Sequence, residues 1–313
     1  MKKTLCVLVV VLLASTALFA AGKKDAGSGK ILIGFARSES NDTWLSYLHD
    51  AFAAQFKDST EYEVIWSDGQ NDVTRQQDNV NAMISQGVKA LAIVPVDTSA
   101  MVPITKACQD AGVILVYVNR NPFVGTQPPA GVYYCGSDSI IAGQLQMEEL
   151  AKLMGGEGEL CILMGQLNQE AAQDRTRGVK ETIAKKFPKI KILNEATGNW
   201  MRNEGVNVTE NWLTAYPNLK AIASNNDEMA MGALVAIESS GRKGIIVGGT
   251  DGNPDALQAI RDGRLACTVF QDAKGQGAGA ADYLRRALKG EKLQPINWIP
   301  YVLINKDNLS QYL

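Results

Sequence analysis

From Ile31 onward the chain alternates between two hydrophobic periods. Short apolar runs at 31–36, 62–66 and 90–94 each lead through polar residues into stretches of helical spacing at 44–56, 73–84 and 100–111. Residues 113–118 and 132–135 then follow one another as extended runs, with only the Pro- and Gly-rich stretch 121–131 (NPFVGTQPPAG) between them. The alternation resumes with helix 140–153, strand 160–164, helix 171–187, strand 190–194 and helix 204–215. Strand 221–223, helix 228–238, strand 245–247, helix 254–262, strand 265–270 and helix 277–288 complete the series. Most strand runs are unbroken Val, Ile and Leu rather than alternating apolar and polar, the mark of strands buried on both faces. Such strands separated by helices specify a parallel α/β protein. Residues 87–93 (GVKALAI) echo 218–223 (NLKAIA), and each leads through an Asp-bearing turn (Asp97, Asp227) into a helix. The echo and the helix-free stretch 121–131 predict two lobes of similar design, with a boundary near Ser137.

Open parallel sheets bind ligands outside the carboxyl ends of their strands. Here those ends carry Arg37 through Trp44 (RSESNDTW), Asn119-Arg120, Ser137-Asp138, Glu170 with Asp174 and Arg175, Asn199-Trp200, Asn225-Asn226-Asp227, Thr250-Asp251 and Gln271-Asp272. Arg donates, carboxylates accept, and amides do both. A polyhydroxylated ligand needs that mixture, because each hydroxyl is donor and acceptor at once. Trp44 and Trp200 could sandwich the apolar C–H faces of a sugar ring. Two Arg beside two Asp keep the pocket near neutral, which suits an uncharged ligand. The competing reading is structural, since an Asp or Asn after a strand often caps the next helix. Asp138, Asp227 and Asp255 are read as caps, Asn226 as the hydroxyl contact, and Asn225 is left unassigned. Trp66, Trp212 and Trp298 lie in regular elements and are read as core or packing residues.

With 46% hydrophobic and 20% charged residues, the 313-residue chain reads as globular. Its net charge of −2 gives no electrostatic case for nucleic acid or a membrane surface. Residues 1–21 read as a secretory signal peptide, with a basic start (Met1-Lys2-Lys3), an apolar core and a small-residue end near Ala20-Ala21-Gly22. Ala21 stands where a lipobox would place cysteine, and 22–30 is a polar, flexible leader. Cys108, Cys135, Cys161 and Cys267 show no metal spacing and are expected to be mostly free, buried thiols. The run Gly275 to Ala280 matches GxGxxA but lacks the following strand that ends in an acid, so its glycines are read as close helix–sheet packing. No P-loop, GxSxG or metal set is present, no cofactor is expected, and His49 in the first helix is read as a surface or packing residue.

Taken together, these segments resemble the type I periplasmic sugar-binding proteins of ABC importers, the class of the ribose- and galactose-binding proteins. The resemblance runs from about Lys30 to the C-terminus. It rests on SESNDTW, VPVDTSA (94–100), VNR (118–120), GSDSIIAG (136–143), NNDEMAMGA (225–233), TDGNPDA (250–256) and FQD (270–272). It implies two Rossmann-like lobes with parallel sheets joined by a three-stranded hinge. One lobe would be 30–137 plus 272–299, and the other 138–271 plus 300–313. Matching motifs imply ligand contacts from Ser38, Asp42, Trp44, Asn119, Arg120, Ser137, Arg175, Trp200, Asn226, Asp251 and Gln271. The resemblance also implies an exported, periplasmic or cell-surface-attached monomer without enzymatic activity. It would close around a monosaccharide or cyclic polyol and then dock on a membrane permease, with a chemoreceptor as an alternative or additional partner.

Three departures from the ribose pattern stand out. Val94-Pro95 replaces Asn-Pro, Trp occupies two positions that are Phe there, and Asn119-Arg120 replaces an Asp-Arg pair. The larger aromatic surface favours a six-membered ring. The first turn and the GNW…ENWLT region look most like the inositol and rhizopine branch, with galactose or glucose, xylose and ribose as alternatives. A LacI-type regulator would need an N-terminal helix-turn-helix where this chain has its signal peptide. A sugar-modifying enzyme using Asp42 and Asp251 would lack an activated nucleophile.

Overall fold

The computed structural model describes residues 29–312, so the signal-peptide reading and most of the leader lie outside the described residues. Two six-stranded sheets organise the chain. The first has the order β11-β5-β4-β3-β1-β2 and is parallel throughout. Its strands are β1 (Ile31–Arg37), β2 (Tyr62–Asp68), β3 (Ala90–Ile93), β4 (Ile114–Val118), β5 (Val132–Gly136) and β11 (Ile296–Trp298). The second has the order β12-β10-β9-β8-β6-β7, parallel except for the antiparallel pair of β10 and β12. It consists of β6 (Glu157–Met164), β7 (Lys189–Thr197), β8 (Leu219–Ser224), β9 (Ile246–Asp251), β10 (Cys267–Phe270) and β12 (Val302–Asn305). The two orders match strand for strand, so the echo between 87–93 and 218–223 reflects two lobes with one topology.

Helices cover both faces of each sheet, as fully apolar strands require. In the first lobe, Phe35, Ala92, Val116 and Val118 pack under α1 (Thr43–Ala54) and α9 (Ala273–Leu288) with Leu48, Phe52 and Leu284. Leu91, Ile93, Leu115 and Tyr117 point the other way, towards α2 (Val73–Ser85) and α3 (Met101–Asp110) with Met83, Met101 and Ile104. Adjacent strand residues therefore serve opposite cores. The second lobe repeats the scheme with α4 (Ser139–Met154) and α5 (Glu170–Lys186) on one face. On the other lie α6 (Arg202–Ala215), α7 (Asp227–Ser239) and α8 (Pro254–Arg261). Each fully buried Leu or Ile contributes roughly 1.5–3 kcal/mol through apolar burial.

The chain passes between the sheets three times: from β5 into α4, from β10 into α9, and from β11 into β12. The strands β11 and β12 escape the sequence pattern because each is only three or four residues long and Pro300 lies between them. Of the tryptophans read as core or packing residues, Trp212 is buried, while Trp66 packs against Phe35, His49 and Phe52, and Trp298 against Tyr134, from part-exposed positions on the outer strands of the first sheet. The GxGxxA glycines serve two contacts rather than one. A Cβ on Gly277 would lie 2.3 Å from the Leu48 carbonyl oxygen, so this glycine lets α9 touch α1, and Gly279 faces Cys135 and Asn297 of the sheet. His49 packs its ring against Phe35 and Trp66, and burial lowers its basicity. The four cysteines of the described residues are buried and unpaired.

Candidate functional site

The carboxyl ends of both sheets face a common cavity between the lobes. From the first lobe its wall takes Asp42, Trp44, Leu45, Asn119 and Arg120. From the second it takes Ala171, Arg175, Trp200, Asn226 and Asp251, and Gln271 joins them at the β10-to-α9 crossing.

The first-lobe side chains are held by their own turns and by partners distant in sequence. Asp42 caps α1, its Oδ1 accepting the Leu45 amide at 2.9 Å. One carboxylate oxygen thus serves the helix. Trp44 enters the first turn of α1, is 6% exposed, and donates its indole N–H to the Gln271 carbonyl at 3.1 Å. Asn119 follows β4 with φ 68°. Its amide donates to Gln276 Oε1 at 3.3 Å, and Gln276 donates to the Ser137 hydroxyl at 3.0 Å. Arg120 is 3% exposed, donates to the Pro95 carbonyl at 2.7 Å and lies 3.8 Å from the Glu39 carboxylate.

In the second lobe Arg175 is the hub. It donates to the Asn225 carbonyl at 2.5 Å, to Gln271 Oε1 at 2.9 Å and to the Tyr301 hydroxyl at 3.1 Å. Its guanidinium lies between two rings, 5.6 Å from the centre of Trp200 and 5.8 Å from that of Tyr301. Its buried Nε has no hydrogen-bond partner among the described residues. Trp200 has φ 68° and donates its indole N–H to Gln169 Oε1 at 2.7 Å. Asp251 has φ 137° and sits 3.8 Å from Arg175. Asn119, Trp200 and Asp251 are non-glycine residues held at positive φ, and all three line the cavity. Backbone strain of this kind costs of order 1–3 kcal/mol per residue and concentrates where a fold fixes ligand-facing groups.

The electrostatics are balanced. Arg120 and Arg175 oppose Asp42 and Asp251 on the cavity wall, so their formal charges cancel. Burial, with the neighbouring Asp227, pushes the Asp251 carboxyl well above the usual range. Hydroxyl donors from a ligand would restore its charged form.

The expected residues fall into two groups. Asp42, Trp44, Asn119, Arg120, Arg175, Trp200, Asn226, Asp251 and Gln271 come together on the cavity wall, while Ser38 and Ser137 do not. Ser38 is buried at the end of β1, its hydroxyl unpartnered and its carbonyl accepting the Asn71 amide. Ser137 stands behind the wall and supports Asn119 through Gln276. The cap expected at Asp227 falls instead to Asn226, which also lines the cavity. Asn226 caps α7, its Oδ1 accepting the Met229 amide at 3.0 Å while its amide donates to the Trp200 carbonyl. Asp227 does not cap. It is fully buried and accepts the Gly252 amide, the Asn253 amide and the Thr268 hydroxyl at 2.7–2.8 Å. Burial raises its pKa to about 6 despite those three donors. Asp255 is likewise no cap, since Asn253 holds the cap position and Asp255 pairs with Arg202. Asp138 does hold the cap position of α4, without a side-chain bond.

Residues 33–292 match the sequence profile of the periplasmic binding protein domain. The chain belongs to that family. A protein of Rhizobium meliloti described as rhizopine-binding is 39% identical over 248 residues, covering 78% of this chain and 80% of the relative. The ribose import binding protein of Escherichia coli is 31% identical over 294 residues, covering 94% and 95%. Among solved structures, an ABC transporter solute-binding protein of Bacillus halodurans with bound myo-inositol superposes with a TM-score of 0.84. It is 38% identical and covers 92% of this chain and 98% of its own. The two-lobed architecture is therefore the type I periplasmic binding protein fold, and the family members compared are binding proteins for sugars and polyols.

Proposed function

We propose that this chain is the exported solute-binding component of an ABC importer. It takes a neutral six-membered polyol ring, an inositol or a pyranose, between its lobes. The observation that carries the reading is the cavity wall itself: opposed Arg and Asp pairs with no net charge, amides beside them, and two tryptophans from opposite lobes. Rings have apolar faces and a girdle of hydroxyls. Trp44 and Trp200 would supply the faces; Arg120, Arg175, Asp42, Asp251 and Asn119 would pair the girdle. The compared proteins with bound myo-inositol or named for rhizopine support a ring polyol over a furanose.

Binding would act through closure. Asp42, Trp44, Asn119 and Arg120 move with one lobe, and Arg175, Trp200, Asn226 and Asp251 with the other, across the three chain crossings. Only the closed arrangement lets one ligand meet both sets, so the ligand shifts the population towards it. The closed monomer would present both lobes to a membrane permease, and a chemoreceptor could read the same form. No reaction is assigned. A thermal-shift screen of inositols, hexoses and pentoses tests the proposal: a six-membered ring polyol should raise the melting temperature most. Stabilisation by none of them would overturn it.

A further inference from the structure

One contact line crosses between the lobes beside the cavity. Gln169, just before α5 in the second lobe, is completely buried. Its Oε1 accepts the Trp200 indole N–H at 2.7 Å, and its Nε2 donates to Gln166 Oε1 of the same lobe at 2.5 Å while also reaching the Val96 carbonyl of the first lobe at 3.4 Å. The stretch around Val96 is itself held rigidly. Gln76 accepts the Val96 amide and donates to the Val94 carbonyl, both at 2.9 Å, and Arg120 donates to the Pro95 carbonyl at 2.7 Å. A continuous series therefore runs from Arg120, through the main chain at Pro95 and Val96, to Gln169 and Trp200. Its two ends are cavity-wall side chains of opposite lobes. The neighbouring contacts, Thr98 amide to Asn168 carbonyl at 3.3 Å and Asn121 amide to Glu170 at 3.1 Å, span the same gap. They do not touch the wall residues themselves.

We propose that Gln169 is a positioning residue that couples the orientation of the Trp200 ring to closure of the lobes. Opening removes the Val96 acceptor and leaves the amide that fixes the indole anchored by Gln166 Oε1 alone. Closing restores the second anchor, so the aromatic wall is held most firmly when the lobes meet. The inference deepens the ring-polyol reading and rests on it for the identity of the ligand, although the coupling itself is a property of the protein alone.

The test uses the mature chain with myo-inositol as probe, followed by stopped-flow tryptophan fluorescence. Gln169→Ala should accelerate dissociation about tenfold, the loss of one hydrogen bond at a closed interface, with association rate little changed and the ligand-free melting temperature lowered by the loss of its bonds to Trp200 and Gln166. Gln169→Glu keeps an acceptor for the indole but turns a carboxylate oxygen towards the Val96 carbonyl, and should dissociate at least as fast. Lys185→Ala, exposed at the far end of α5, should behave as wild type. A wild-type dissociation rate for Gln169→Glu, or losses confined to association and melting temperature, would overturn the coupling. If wild type does not bind myo-inositol, the ligand reading suffers and the coupling is decided without ligand. Spin labels on cysteines placed at exposed Val102 and Val235 would report the interlobe distance, the native thiols being buried. Loss of the short-distance population in Gln169→Ala supports the proposal, and an unchanged distribution overturns it.

Discussion

Gly165→Ala, at the end of β6, should disable binding without adding or removing any group that touches the cavity. A Cβ at this position would lie 2.1–2.2 Å from Cζ2, Cε2 and Cη2 of Trp200. Carbon atoms rest about 3.5–4 Å apart, so the indole must retreat by roughly 1.5 Å. Gly165 is not at positive φ, so alanine costs nothing in the backbone and the whole effect falls on the ring. The displaced indole loses its 2.7 Å bond to Gln169 and its seat against Arg175. One hydrogen bond is worth about 1 kcal/mol and one aromatic contact about 0.5–1.5 kcal/mol. Together about 2 kcal/mol would be lost, a drop in affinity of about thirtyfold. Calorimetric titration with the best ring polyol from the screen measures it, and circular dichroism checks the fold. Affinity within about threefold of wild type would refute the placement of Trp200 on the ligand wall.

Other outcomes follow from the same geometry. Asp251→Asn keeps a residue type that tolerates positive φ but replaces an accept-only carboxylate, and affinity should fall by about ten- to a hundredfold in titration. Asp227→Ala leaves the buried Asn253 amide and Thr268 hydroxyl without their acceptor and the part-buried Gly252 amide with Thr268 alone, and should destabilise the protein by about 3 kcal/mol, read by chemical denaturation. Glu170 has its pKa raised to about 7, chiefly by burial. Its contribution to stability is complete below the ordinary carboxylate range and is lost as pH rises through about 7. Melting temperature should therefore fall as pH rises from the ordinary carboxylate range to about 7 and level off above it, and Glu170→Gln should flatten that slope.

Much of this was legible in the chain because strand ends in a parallel sheet are chemically distinct from strand interiors. The apolar run before Asn119, for example, stops where the cavity starts. What stayed hidden depends on distant partners. Asn226 and Asp227 are both good caps by type, and only the Gly252 and Asn253 amides and the Thr268 hydroxyl, brought in by β9 and β10, draw Asp227 away from that role. Gln169 and Gln276 sit within or beside helices as ordinary polar residues, and nothing local says that they are buried against the wall. Gly165 looks like a turn glycine, and its need arises from an indole 35 residues later. Ser38 and Ser137 illustrate the opposite error, in which a strand-end position places the backbone correctly but the side chain falls behind the wall.

The central claim is that one neutral ring polyol binds between the lobes. Calorimetric titration of the wild-type chain with myo-inositol tests it most directly, with pyranoses titrated in parallel. Saturable one-to-one binding of a six-membered ring polyol is expected, weakened in Asp251→Asn and Gly165→Ala. Heats absent for every ring polyol, or binding that both substitutions leave unchanged, would contradict it.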